Sequence, residues 1–170
     1  TTAFGAAIGM EDAVGGSGRF LNALNGSTTV TSTSTAWPGN GNGFRFTPFA
    51  PCTPPVDQAS ALTFGTITTG AIAASFTAAP SVPSGYLVVA YPTGSAVTNP
   101  VDANAYIVNQ TLGLGKVISV GTSVSFNATG LLPNQGYDFY VYTYSSTLCS
   151  FAPAYNTSAP LTGTATTNAC

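Results

Sequence analysis

Beyond residue 50 the apolar residues of this chain come in short runs with a period of two, each closed by glycine, proline, asparagine or serine. ALTFGTI (61–67), AIAASFT (71–77), GYLVVAY (85–91), KVISV (116–120), SVSFN (123–127), GYDFYVYTY (136–144) and LTGTAT (161–166) follow one another in this way, with a shorter run at 105–108. Alternation sends every second side chain to one face of a pleated strand. Short, evenly spaced strands separated by turn formers imply an all-β sandwich over residues 51–170. GYLVVAY is more continuously apolar than its neighbours, and no helical period competes in this half of the chain.

Residues 1–50 form a Gly-, Ser- and Thr-rich extension. Strand-like pieces occur at residues 28–35, around Val30, and at 44–46, where Phe44 and Phe46 flank Arg45. A turn cluster, Trp37-Pro38-Gly39-Asn40-Gly41-Asn42-Gly43, separates them. The helix candidates are short, at residues 6–14 or 19–24. Fifty residues with a few short strands do not hold a core alone, so the extension needs a pairing partner. The opening TTAFGAAIGM lacks the basic start of a signal peptide, and Thr1 is expected to be a processed end.

Charge narrows the function classes. Charged residues make up 5% of the 170 residues, against about 25% in an ordinary soluble domain. The surface must be built from Thr, Ser, Asn and Gly, and little repulsion keeps copies apart. Three basic residues, Arg19, Arg45 and Lys116, are too few and too scattered for a nucleic-acid surface. No apolar run approaches the ~20 residues of a membrane-spanning helix.

Catalysis has little to work with. The chain has no histidine, which removes Ser/His and Cys/His nucleophilic systems. Its five carboxylates, Glu11, Asp12, Asp57, Asp102 and Asp138, are scattered, and the adjacent pair Glu11–Asp12 points two ways on a strand. No enzyme activity, cofactor or metal site is expected.

The stretch GLLPNQGYDFYVYTY (130–144) carries a resemblance. Leu131-Leu132-Pro133-Asn134-Gln135-Gly136-Tyr137 resembles the Leu-x-Pro-x-x-x-Tyr signature of fibronectin type III domains, whose tyrosine bonds back to upstream backbone in a tyrosine corner. The resemblance gives that role to Tyr137, with Leu131 packed into the core and Pro133 in the turn. Phe76 stands where the family usually has a strand-B tryptophan. Further elements are similar to the variant repeated in secreted surface proteins of Bacteroidetes-type bacteria: Cys52-Thr53-Pro54-Pro55, GYLVV, NPVDxxxY (Asn99 to Tyr106), GxGKVI (Gly113 to Ile118), Cys149 before Tyr155-Asn156, and the closing residues 158–167. The implied fold is an immunoglobulin-like, fibronectin type III-like β-sandwich across residues 52–167.

In that topology the first strand begins at the same end as the loop holding Cys149. The resemblance therefore implies a Cys52–Cys149 disulfide closing a loop of about 100 residues, worth several kcal/mol in the chain-entropy model. Cys170 is left at the opposite end, available to another chain. A disulfide implies a secreted, extracellular or cell-surface setting.

On 136–144 the period of two places Tyr137, Phe139, Val141 and Thr143 on one face and Asp138, Tyr140, Tyr142 and Tyr144 on the other. The latter tyrosines admit three readings: an ordinary half-covered sheet face, a contact with a neighbouring subunit, or a platform for sugar rings. Asn25, Asn109, Asn127 and Asn156 open Asn-x-Ser/Thr triplets for glycosylation, which arise by chance in a Thr-rich chain.

Edge strands sharpen the expectation. Sandwiches guard exposed edges with charge, and this chain has almost none. A neutral edge is a template for a further strand, and residues 1–50 supply strands without a core. The leading reading is a structural subunit whose copies polymerise head-to-tail by strand addition into an extracellular filament or surface assembly. The alternative is an adhesion or carbohydrate-binding module of a larger secreted protein.

Overall fold

A computed structural model describes residues 7–8, 21–22, 50–147 and 149–170. The chain divides into two compact units, Thr1–Ala50 and Pro51–Cys170. In the first, β1 (Ala7–Ile8) and β2 (Leu21–Asn22) pair antiparallel, Ala7 opposite Asn22 and Ile8 opposite Leu21. Those residues belong to strands and not to the helices expected at 6–14 or 19–24. Gly9, inside the first of those stretches, is a poor helix former. Val30, Phe44, Phe46, Cys-free residues 28–35 and the Asn25 triplet lie outside the described residues.

The second unit is a sandwich of two antiparallel sheets. One holds β3 (Ser60–Ile67), β4 (Ala71–Thr77) and β8 (Ser125–Thr129), in the order β3-β4-β8. The other is built around β9 (Gly136–Ser145), flanked on one side by β5 (Gly85–Pro92), β7 (Gly115–Gly121) and β6 (Thr111–Leu112). On the other side, β9 pairs with both β10 (Ala154–Tyr155) and β11 (Leu161–Thr166), one broken edge strand in two pieces. This is an immunoglobulin-like, fibronectin type III-like arrangement.

The core between the sheets takes the inward positions of each strand: Ile72, Ala74 and Phe76 from β4, Tyr86, Val88 and Ala90 from β5, Tyr137, Phe139 and Val141 from β9. Phe76 meets Tyr86 edge-on at 4.9 Å, so an aromatic fills the strand-B position. Gly163 on β11 lets the sheets close at that edge, because a Cβ there would lie 2.7 Å from Leu62 Cδ2 and 3.2 Å from the Phe64 ring.

Two strand expectations change. Residues 105–108 form no strand: the Tyr106 hydroxyl accepts from Val101 N (3.1 Å), tying this piece into a loop, while Ile107 and Val108 are exposed. The strand expected at 123–127 starts at Ser125, because Ser123 Oγ turns the chain by bonding Ser125 O (2.8 Å) and N (3.2 Å).

Candidate functional site

The expected corner is built from backbone need. Leu131 is buried, and the Tyr137 hydroxyl accepts from Leu132 N at 2.9 Å. The donor would otherwise be stranded where the chain turns into β9. Pro133 sits in that turn. Thr167 closes the same end, its hydroxyl donating to Leu132 O (2.6 Å) and accepting from Gln135 N (3.0 Å).

The opposite end is covalently closed. Cys52 and Cys149 form a disulfide with Cα atoms 4.8 Å apart. Pro51 and Ser150 make a parallel bridge, and Cys52 N donates to Ser150 O at 2.8 Å. Cys170 is a free, exposed thiol. At this end a polar cluster ties residues 55–58 to the last part of β9 and to the residue after β10. Gln58 Oε1 accepts from Thr143 N (3.2 Å), Gln58 Nε2 donates to Asn156 O (2.7 Å), and Asn156 Nδ2 donates to Pro55 O (2.9 Å). Thr143 is fully buried, its hydroxyl donating to Asp57 O at 2.9 Å.

That cluster also takes in one of the Asn-x-Ser/Thr triplets. Asn156 is 9% exposed and its amide nitrogen is committed to Pro55, so the folded chain offers no acceptor there. Asn109 and Asn127 are exposed.

The tyrosine face gives the largest correction. Tyr142, expected to look outward, is 0% exposed, and Tyr140 and Tyr144 are only partly exposed. They belong to a second core on the outer face of the β9 sheet, with Leu87, Val89, Tyr91, Tyr106, Leu112, Val117 and Tyr155. Register puts Leu87 beside Tyr142 and Val89 beside Tyr140. The rings pack in two groups. Tyr140 stacks on Tyr142 (6.3 Å) and meets Tyr91 edge-on (5.7 Å); Tyr155 touches Tyr106 (5.8 Å) and Tyr144 (5.7 Å).

The cover is the protein's own loop between β5 and β6, and tyrosine hydroxyls hold it down. Tyr91 Oη donates to Thr98 O (2.7 Å), Tyr142 Oη to Asn99 Oδ1 (3.2 Å) and Tyr155 Oη to Asn104 O (3.0 Å), while Tyr106 Oη accepts from Val101 N. Asp102 Oδ1 accepts from Tyr155 N at 2.8 Å, and Ala103 N donates to Pro153 O at 2.8 Å. The NPVDxxxY element is thus a clasp in which Asn99, Val101, Asp102 and Asn104 each bond to a tyrosine of the layer. Asp102 thereby ties the loop to the backbone of β10.

Two glycines make room for the layer. A Cβ on Gly115 would lie 2.5 Å from the Tyr91 ring, and one on Gly85 would lie 2.5 Å from the Tyr144 hydroxyl. Each aromatic lies across a neighbouring glycine and shields its backbone. Burial pushes the phenols of Tyr91, Tyr142, Tyr144 and Tyr155 above the ordinary tyrosine range, with neighbouring tyrosines adding to the effect at Tyr91, Tyr142 and Tyr155.

Tyr91, Tyr106, Tyr155 and Asn99 were not singled out as site residues from the sequence. The signal was available in GYLVVAY: a strand apolar on both faces needs cover on both. A shallow depression of about 550 Å³ on the outer face of the β3-β4-β8 sheet is lined by Thr63, Gly65, Ala73, Ser75, Ser125 and Asn127 among others. None of its lining residues is charged, and it offers no acid, base or nucleophile pair.

No family model and no curated protein sequence matches the chain. Solved structures do. A fibronectin type III domain of human collagen XX is 18% identical with a TM-score of 0.44, covering 69% of this chain and 98% of that one. A two-domain fibronectin type III segment of chicken tenascin is 18% identical with a TM-score of 0.45, covering 66% of this chain and 50% of that one. The FN5 domain of Drosophila Lar is 18% identical with a TM-score of 0.40, covering 66% and 97%. Strand order and the Tyr137 corner, rather than these scores, carry the assignment of the described unit to a fibronectin type III-like sandwich.

Proposed function

We propose that this chain is a structural module of an extracellular surface protein or filament, set in series with its neighbours, with no catalytic role. One observation carries the reading: both faces of the central strands β5 and β9 are covered by the protein's own residues, so the sandwich is a finished building block whose large aromatic groups serve its own stability. The Cys52–Cys149 bond favours an oxidising compartment. The near absence of charge favours a surface that meets other protein.

The finer form of this reading is polymerisation of like copies by strand addition, with residues 1–50 as donor, including Val30, Phe44 and Phe46. What supports it in the sandwich is the edge strand β8, whose outward residues Ser125, Asn127 and Thr129 are exposed and uncharged. Electron microscopy of the full-length protein and of Asn127→Lys is the test. Filaments from the parent and none from the lysine variant are expected, with unchanged folding because the site is exposed. Monodisperse particles of the parent at high concentration would refute assembly. The alternative, a carbohydrate-binding module working through Tyr140, Tyr142 and Tyr144, loses its central residue to burial.

A further inference from the structure

We infer that the Cys52–Cys149 disulfide and strands β10 and β11 form a tension bypass that removes residues 53–148 from the load path when the protein is pulled along its strands. The geometry begins with the two ends. Pro51 and Cys52 are bonded to Ser150, where β9 ends and β10 begins. Asn168 lies at the other end, its N–H donating to Thr68 O (3.0 Å) beside the β3–β4 turn and its carbonyl accepting from Asn134 N (3.0 Å) before β9. A pull on the flanking chain therefore acts along the strands.

The covalent path then decides where the force goes. From Cys52 it crosses the disulfide to Cys149 and runs through 150–168. The 97-residue separation between the cysteines is a closed side loop that no pull on the ends can lengthen. Both cores, the corner at Tyr137 and the tyrosine clasp belong to this loop for all but a few of their residues. The loaded segment is already largely extended, and β11 is held to β9 by six registered pairs, Leu161 opposite Val141 through Thr166 opposite Gly136. Gly163 seats it tightly against Leu62 and Phe64 of β3. Stripping this segment yields at most about 7 nm of chain at ~3.5 Å per residue. Once the disulfide is cut, β3 takes the load directly and the whole sandwich can unravel.

This use of the disulfide rests on the proposed role in series, but the property is one of the single molecule. The test is force spectroscopy on the full chain, held by peptide-tag handles at its two ends, oxidised, after addition of a reductant, and as Cys52→Ala/Cys149→Ala. The two forms without the disulfide, reduced and double-variant, should reach a full extension about 35 nm beyond the oxidised form, the length of 97 residues. Residues 1–50 contribute equally to all three. Equal full extensions of oxidised and reduced protein overturn the proposal, as does a thiol count showing more than Cys170 free in the oxidised protein. Should the double variant fail to fold, reduction of the folded parent supplies the comparison. A chain that never assembles yet shows the 35 nm difference refutes the filament and leaves the bypass standing.

Discussion

Replacing Tyr142 by alanine separates a sealed core from an exposed binding face. Tyr142 is fully buried, stacked on Tyr140 and bonded to Asn99. Truncating a buried aromatic to alanine costs about 3–5 kcal/mol through lost transfer energy and the cavity left behind. Asn99 is exposed, so water can replace the lost donor at its Oδ1 and the bond itself adds little to that cost. Tyr142→Phe removes the hydroxyl alone and should cost at most about 1 kcal/mol. Against a total stability of roughly 5–15 kcal/mol, the alanine variant should be marginal and the phenylalanine variant comfortably folded. Urea unfolding followed by far-ultraviolet circular dichroism measures both. An exposed ligand face predicts changes within about 0.5 kcal/mol for either variant, and that outcome for Tyr142→Ala would falsify the buried-layer account.

Other perturbations follow from the same contacts. Gly115→Ala drives a Cβ into the Tyr91 ring, which its bond to Thr98 holds in place, and should destabilise by about 1–3 kcal/mol; Gly65→Ala, whose Cβ would meet nothing nearer than Ala73 O at 3.8 Å, is the control for a glycine change in a strand. A loss as large at Gly65 as at Gly115 would remove the steric explanation. Tyr137→Phe strands Leu132 N and should cost about 1 kcal/mol or somewhat more in the same unfolding assay; no change would mean that water replaces the corner. Reducing the disulfide should lower stability by about 4–5 kcal/mol in the chain-entropy model, read as a shift of the urea midpoint, and an unmoved midpoint would show that the closed loop constrains nothing.

Much of the sandwich was legible because its strands alternate cleanly. AIAASFT and LTGTAT became β4 and β11 with their ends unchanged, and the split of β9 into Tyr137, Phe139 and Val141 against Tyr140, Tyr142 and Tyr144 holds in the packing. Alternation names the residues that share a face, however, and says nothing of what lies over it. The cover comes from residues 98–106, a run of turns some forty positions earlier, held by side-chain hydroxyls that leave no period in the sequence. Residues 105–108 mislead for the same reason, since Tyr106 is buried by its hydroxyl bond and its contact with Tyr155 and not by strand pairing. The start of β8 moved by two residues because a local serine turn outcompetes the ladder at Ser123.

Spectrophotometric titration of the native protein's tyrosines tests the sealed layer most directly. Tyr91, Tyr142, Tyr144 and Tyr155 have phenols raised by burial, among eight tyrosines in the chain. In the unfolded chain each ionises near pH 10. Below that pH both states are protonated and the stabilising contribution is complete; above it the unfolded state loses protons that the folded state keeps, and stability falls. Tyr142 and Tyr155 alone give a loss of about 2.7 kcal/mol per pH unit once the unfolded chain is ionised. The account predicts that Tyr142 and Tyr155 stay protonated well above pH 10 while the circular dichroism remains native, that Tyr91 and Tyr144 ionise later than free tyrosine, and that the buried phenols ionise as the protein unfolds. Eight tyrosines titrating as a single group near pH 10 in a protein that stays folded would contradict it.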